Sequence, residues 1–250
     1  MDGPPLGRPV PVSVLSTLMT IMPKSLRPRT GGKARPTPTA GAGLPRELLD
    51  DLRRTTRPGD QRTAVSRLSR AIELLDRGDP GGASVEAEKA KRLAPRAASV
   101  REVLGLAYYG VGRWQEAVTE LKTYRRMTGR LDQNHLIADA LRGLGRPQEA
   151  VPLAEEELKS SVSNEAKAEA VVVAASALAD QNRFSEALAF LGRARTREDV
   201  AEPYTLRLWY VRGDILARAG RSEEAAAEFR KILRHDAGAF DVAERLAQLG

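Results

Sequence analysis

Along most of the chain, apolar residues recur every three to four positions, the period of a helix rather than the alternation of a strand. Val100, Val103, Leu104, Tyr108 and Val111 form one such face, and Gly112 follows it. Glycine suits the left-handed conformation that closes a helix, so this face predicts a helix that stops at Gly112. Near the end, Val242, Leu246 and Leu249 fall on one side of residues 239–249, opposite Asp241, Glu244, Arg245 and Gln248. A shorter apolar face, Leu48, Leu49 and Leu52, predicts a helix over Arg46–Thr55. Upstream the pattern fails. Residues 1–60 hold 10 of the 15 prolines, and residues 23–45 have almost no large apolar side chain. Such a stretch cannot bury enough surface to offset its ordering entropy, so 1–60 is expected to be a disordered, Pro-rich basic tail. The apolar run 12–22 is about 11 residues long, short of the ~20 that cross a bilayer. Ser13, Ser16, Thr17 and Thr20 weaken it, and no small-x-small cleavage site follows closely. No membrane contact is expected, and a cytoplasmic location.

The rest of the chain repeats itself. Gly112-Arg113-Trp114-Gln115-Glu116-Ala117 returns as Gly145-Arg146-Pro147-Gln148-Glu149-Ala150 and as Asn182-Arg183-Phe184-Ser185-Glu186-Ala187. It returns again as Gly220-Arg221-Ser222-Glu223-Glu224-Ala225, with a degenerate first copy at Gly78-Asp79-Pro80-Gly81-Gly82-Ala83. The alanines lie 34, 33, 37 and 38 positions apart. Each copy reads as helix, turn, helix. Pro147 suits a first helical turn, where a missing N–H costs nothing, while Pro152 is expected to bend the helix it lies in.

This period and its internal pattern resemble the tetratricopeptide repeat. In the copy 98–131, Leu104, Gly105 and Tyr108 match the family's first helix, and Ala117 and Leu121 its second, although Arg101 stands where the leading tryptophan belongs. The last copy keeps Trp209, Gly213, Ala225 and Phe229, and the middle copies keep Ala150 and Ala187. Small residues are needed where two helices approach within a methyl group of each other. The resemblance implies an all-α fold: a right-handed α-solenoid of helix–turn–helix repeats. The array is placed at 61–238, with copies near 64–97, 98–131, 131–164, 168–201 and 206–238. A capping helix is placed at 239–250, since an open solenoid must end on a polar face.

In this family the first helices line a concave face that usually holds an extended peptide. The positions implied for it are Tyr109, His135, Asp139, Arg142, Ser176, Asp180, Arg207, Tyr210, Asp214 and Arg218. Tyrosine and arginine suit peptide capture, and Tyr210, Asp214 and Arg218 form one stripe. His135 and Asp139, one turn apart, are expected to share a local hydrogen bond or ion pair. The carboxylate clamp of chaperone-binding members is absent, since Val103, Leu106, Leu136 and Asp139 occupy its positions. The three glutamates Glu155, Glu156 and Glu157 point in different directions, and Glu120 is expected at the surface.

Composition narrows the chemistry. There is no cysteine and there are two histidines, His135 and His235. Thiolate catalysis, disulfides and cysteine-ligated metals are excluded, and an imidazole metal site has too few ligands. No catalytic residue, metal or cofactor is expected, so the chain is read as a non-enzymatic scaffold for a protein or peptide. The net charge of +7 raises a second possibility. Residues 1–63 carry 11 Lys/Arg against 5 Asp/Glu, whereas 64–250 carry 29 against 28. A basic tail on a neutral body could attach a nucleic acid or ribosome while the repeats recruit a partner. High Ala and Arg usage points to a GC-rich bacterial genome.

Overall fold

The structure is a computed structural model that describes residues 44–194 and 202–249. The expected disorder of the tail, with its basic residues up to Arg35, lies outside the described residues for 1–43. Among the described residues there are twelve α-helices, two 3-10 turns and no strand. None of these helices is long and apolar enough to cross a membrane. The chain divides into two compact units, one running to Arg130 and the other starting at Leu131.

The first unit opens with α1 (Arg46–Thr55), then α2 (Gln61–Asp76), α3 (Pro80–Leu93), α4 (Ala98–Gly110) and α5 (Trp114–Thr128). A tail reaching to residue 60 is corrected here. Leu48 and Leu52 of α1 are buried, and the Asp51 carboxylate accepts hydrogen bonds from the Ser99 N–H at 2.9 Å and its hydroxyl at 2.7 Å. Asp51 thereby caps the start of α4 from 48 residues away, using the side chain that helix starts favour. Helices α2 with α3 and α4 with α5 are the two hairpins of this unit, and α3 also packs on α4.

The second unit runs α6 (Asn134–Gly143), a 3-10 turn at Pro147–Glu149, α7 (Ala150–Leu158), α8 (Asn164–Asp180), α9 (Phe184–Leu191), α10 (Pro203–Arg218), α11 (Ser222–His235) and α12 (Val242–Leu249). The 3-10 turn precedes α7 where Pro152 has no N–H to offer the fourth carbonyl back. In α12, Val242 is fully buried and Leu246 and Leu249 pack on the same core as Trp209, Tyr210 and Phe229.

All five hairpins turn in one way. Gly78, Gly112, Gly145 and Gly220 have φ between 73° and 75°, and Asn182 fills the same place at 59°. In each, the next residue's N–H reaches back past the end of the helix, as from Arg113 to the Tyr108 carbonyl at 2.9 Å and from Arg183 to Leu178 at 3.0 Å. That double closure satisfies carbonyls which would otherwise be orphaned. The arginine after the turn then grips the glutamate three residues on. Arg113–Glu116, Arg146–Glu149, Arg183–Glu186 and Arg221–Glu224 all meet at 2.6–2.9 Å. These arginines hold Glu116, Glu186 and Glu224 below the ordinary carboxylate pKa. The first hairpin, lacking the pair, uses Asp79, whose side chain accepts from the Gly82 N–H at 2.8 Å.

Close approach decides the glycines inside helices. A Cβ on Gly105 would stand 2.6 Å from the Leu121 side chain, and one on Gly213 would stand 2.6 Å from the Phe229 ring. Leu104, Tyr108, Ala117, Ala150, Ala187, Trp209, Ala225 and Phe229 are all buried.

Candidate functional site

Nine of the ten positions implied for the peptide-binding face belong to the second unit, and the structure joins five of them into one chain of charges. Arg142 of α6 meets Asp139 one turn before it at 2.6 Å and Asp180 at the end of α8 at 2.8 Å. From α10, Arg218 approaches Asp180 at 3.5 Å and Asp214 at 3.8 Å, and donates to the Ala179 carbonyl at 2.8 Å. Arg245 of α12 completes the row on Asp214. Three aspartates and three arginines alternate across α6, α8, α10 and α12, and their net charge is zero. The Asp139 and Asp180 attractions outweigh burial and raise the already high Arg142 pKa, fixing its charge. All six side chains keep partial access to solvent, from 13% for Asp214 to 36% for Arg218. Ser176, half-buried, lies one turn before Asp180 on α8.

The other positions are not open, and the expectation that they would be is corrected. Tyr109, in the first unit, is 5% exposed, with its ring edge-on to Trp114 at 5.3 Å. Tyr210 is 2% exposed; its hydroxyl donates to Asp241 at 2.6 Å and its ring meets Phe240 at 4.8 Å. Burial, then Asp241, pushes the phenol pKa well above its ordinary value. The segment that caps the repeats thus covers Tyr210, and the expected stripe is left with Asp214 and Arg218. Arg207 pairs with buried Glu169 at 3.0 Å. His135 does not share Asp139, which is taken by Arg142; it is buried against Glu157.

Among the buried glutamates, Glu120 and Glu157 lie on second helices of their repeats, and the sequence did not mark either. Glu120, expected at the surface, is 4% exposed, and its carboxylate receives Lys91 at 2.6 Å and Arg101 at 2.7 Å. Arg101, the residue in the family's tryptophan position, also donates to the Pro95 carbonyl at 2.8 Å. Nearby, the Tyr108 hydroxyl donates to Glu88 at 2.5 Å, and burial together with that carboxylate pushes its pKa up to about 12. Glu157 is completely buried, while its neighbours turn to Asn134 at 3.4 Å (Glu156) and Arg193 at 3.6 Å (Glu155). No local pattern marks Glu120 or Glu157, because their partners are 19 to 29 residues away. The Arg-x-x-Glu grip, by contrast, is written into four of the repeated strings.

The tetratricopeptide repeat profile matches residues 68–129, 135–201 and 172–242, most of the chain. The chain belongs to the tetratricopeptide repeat family. No curated protein matches it in sequence. Among solved structures it is similar to a thermophilic tetratricopeptide repeat protein of Thermus thermophilus, at 19% identity and a TM-score of 0.57, covering 74% of this chain and 98% of that one. It is similar also to YrrB, described as having an unusual peptide-binding site, at 19% identity and a TM-score of 0.51, covering 74% and 92%. The quorum sensor NprR of B. thuringiensis, in its apo form, matches at 14% identity and 0.62, covering 81% and 62%. The tetratricopeptide repeat fold is that of a protein-interaction scaffold.

Proposed function

We propose that this tetratricopeptide repeat chain is a non-catalytic adaptor, and that the row of Asp139, Arg142, Ser176, Asp180, Asp214 and Arg218 in its second unit holds an extended peptide. The observation that carries this reading is the convergence of these side chains from α6, α8 and α10 into one partly open row, in a fold that takes proteins as partners. Likeness to a protein with a peptide-binding site supports the same class of ligand. Because the row's charges cancel once Arg245 on Asp214 is counted with them, a peptide is selected by its hydrogen-bonding main chain and its shape more than by net charge. Its affinity should therefore change little with moderate salt. Nucleic acid binding through the tail would instead fall steeply with salt. That second possibility rests on residues outside the described ones.

Selection of random peptides on the full chain, followed by calorimetric measurement of the winners, tests the proposal. Ser176→Trp fills the row, and Arg142→Ala removes its most enclosed donor. Each should weaken binding at least tenfold, about 1.4 kcal/mol. Val85→Ser, on an exposed site of the first unit, should leave affinity unchanged, and circular dichroism should report intact helices in all three. Peptides that bind the folded Ser176→Trp variant as well as the parent would overturn the proposal.

A further inference from the structure

His135 is the second residue of α6 and is 3% exposed. Its backbone N–H donates to Glu157 Oε2 at 2.7 Å, and its ring Nδ1 lies 2.8 Å from Oε1 of the same carboxylate. One fully buried side chain on α7 therefore holds both the first turn of α6 and the imidazole on it. Beside the pair, Asn134 donates to the Leu153 carbonyl at 3.0 Å and approaches Glu156 at 3.4 Å, fastening the same two helices. Charged groups face the ring from each neighbouring element. Asp132 precedes α6, Glu157 comes from α7, and Glu169 comes from α8 with Arg207 of α10 on it at 3.0 Å. The ring's Nε2 is buried without a protein partner.

We propose that the His135–Glu157 contact is a proton-operated latch between α6 and α7, closed while the imidazole is charged and loosened when it becomes neutral. A buried carboxylate is tolerated where a cation answers it, and is expensive where none does. With the ring protonated, Glu157 meets a cation at Oε1 and the backbone N–H at Oε2; a neutral ring can keep its Nδ1–H on Oε1 but brings no charge to the carboxylate. Once the proton leaves, the buried Glu157 carboxylate faces a ring that carries no charge, with Glu169 and Asp132 beyond it. Burial by itself favours the neutral ring, but the attraction and hydrogen bond of Glu157, with Glu169 and Asp132 behind it, hold the imidazole pKa above 6.5. A histidine raised in this way contributes stability that is complete below its unfolded value near 6.5 and lost as pH climbs through its folded value. The latch opens toward alkaline pH. It is distinct from the peptide row, since neither His135 nor Glu157 is one of that row's residues.

The chain's two histidines make the test direct. Proton resonances of both rings are followed against pH in the full chain, with His235→Gln identifying the His135 signal, while amide exchange is read at His135 and Leu136. His135 should titrate above 6.5, and Glu157→Gln should lower its midpoint by about one unit or more. Exchange at those amides, corrected for the intrinsic effect of pH, should quicken at least tenfold across the His135 titration, and His135→Gln should abolish that dependence. A midpoint at or below 6.5 would overturn the latch, as would exchange that ignores pH. Both readings are made on the unaltered ring, so they stand even where His135→Gln does not fold.

Discussion

Each unit buries one glutamate of a repeat's second helix, and each answers it differently. In the first unit, Glu120 meets an ammonium and a guanidinium, delivered by Lys91 of α3 and Arg101 of α4, with 32% and 18% of their side chains still in solvent. In the second, Glu157 meets an imidazole and a backbone N–H, both sealed from water. The first arrangement ties three helices with cations that can fall back into water. The second ties two helices with a group whose charge changes near neutral pH. Burial of a carboxylate does not by itself say what it contributes; the kind of partner, and that partner's access to water, does.

Removing each carboxylate sharpens the contrast. Glu157→Ala strands His135 in a dry site and should cost about 3–5 kcal/mol of stability. Glu120→Ala releases two cations that can hydrate and should cost about 1–3 kcal/mol. Equal losses in denaturant unfolding would break the distinction. A smaller contrast separates the two close approaches. In Gly213→Ala the new methyl meets the Phe229 ring, and overpacking of about 1–3 kcal/mol outweighs the ~1 kcal/mol of helix propensity gained. Gly105→Ala meets Leu121, whose side chain has rotamers to use, so its net loss should be the lesser of the two in thermal melts. The smallest effect belongs to the charged row. Asp180→Ala removes its centre, and because every member touches solvent the loss should be at most about 1 kcal/mol, shrinking further in 1 M salt. A salt-independent loss would mean that Asp180 acts through packing.

The helix hairpins were legible because their signals are local. Apolar period, left-handed turn residues and small helix contacts all repeat within one copy, and five copies in phase reinforce one another. Contacts between side chains on different helices, many residues apart, were not legible. Tyr210 looks like an open groove residue until Asp241 and Phe240, some thirty positions on, cover it. Arg101 looks like a lost tryptophan until Glu120 is found beside it. Charge misled by averaging. Residues 64–130 carry 13 Lys/Arg against 8 Asp/Glu, and 131–250 carry 16 against 20, so the neutral body of the sequence reading is a basic unit followed by an acidic one. The polar row was half visible: residue types and helix were right, but mutual neutralisation requires knowing which helices lie side by side.

The Arg-x-x-Glu grip has a consequence for how the chain comes into being. Four of the five hairpins carry this clasp within four residues, next to a turn already set by a left-handed glycine or asparagine. Closing so short a loop costs little chain entropy and is fast. On a ribosome, a hairpin can therefore zip soon after its second helix emerges, without waiting for the repeat that follows. Ties that span copies, such as Asp51 to Ser99 or Arg142 to Asp180, then form between pieces already shaped, so each unit is completed by adding finished modules.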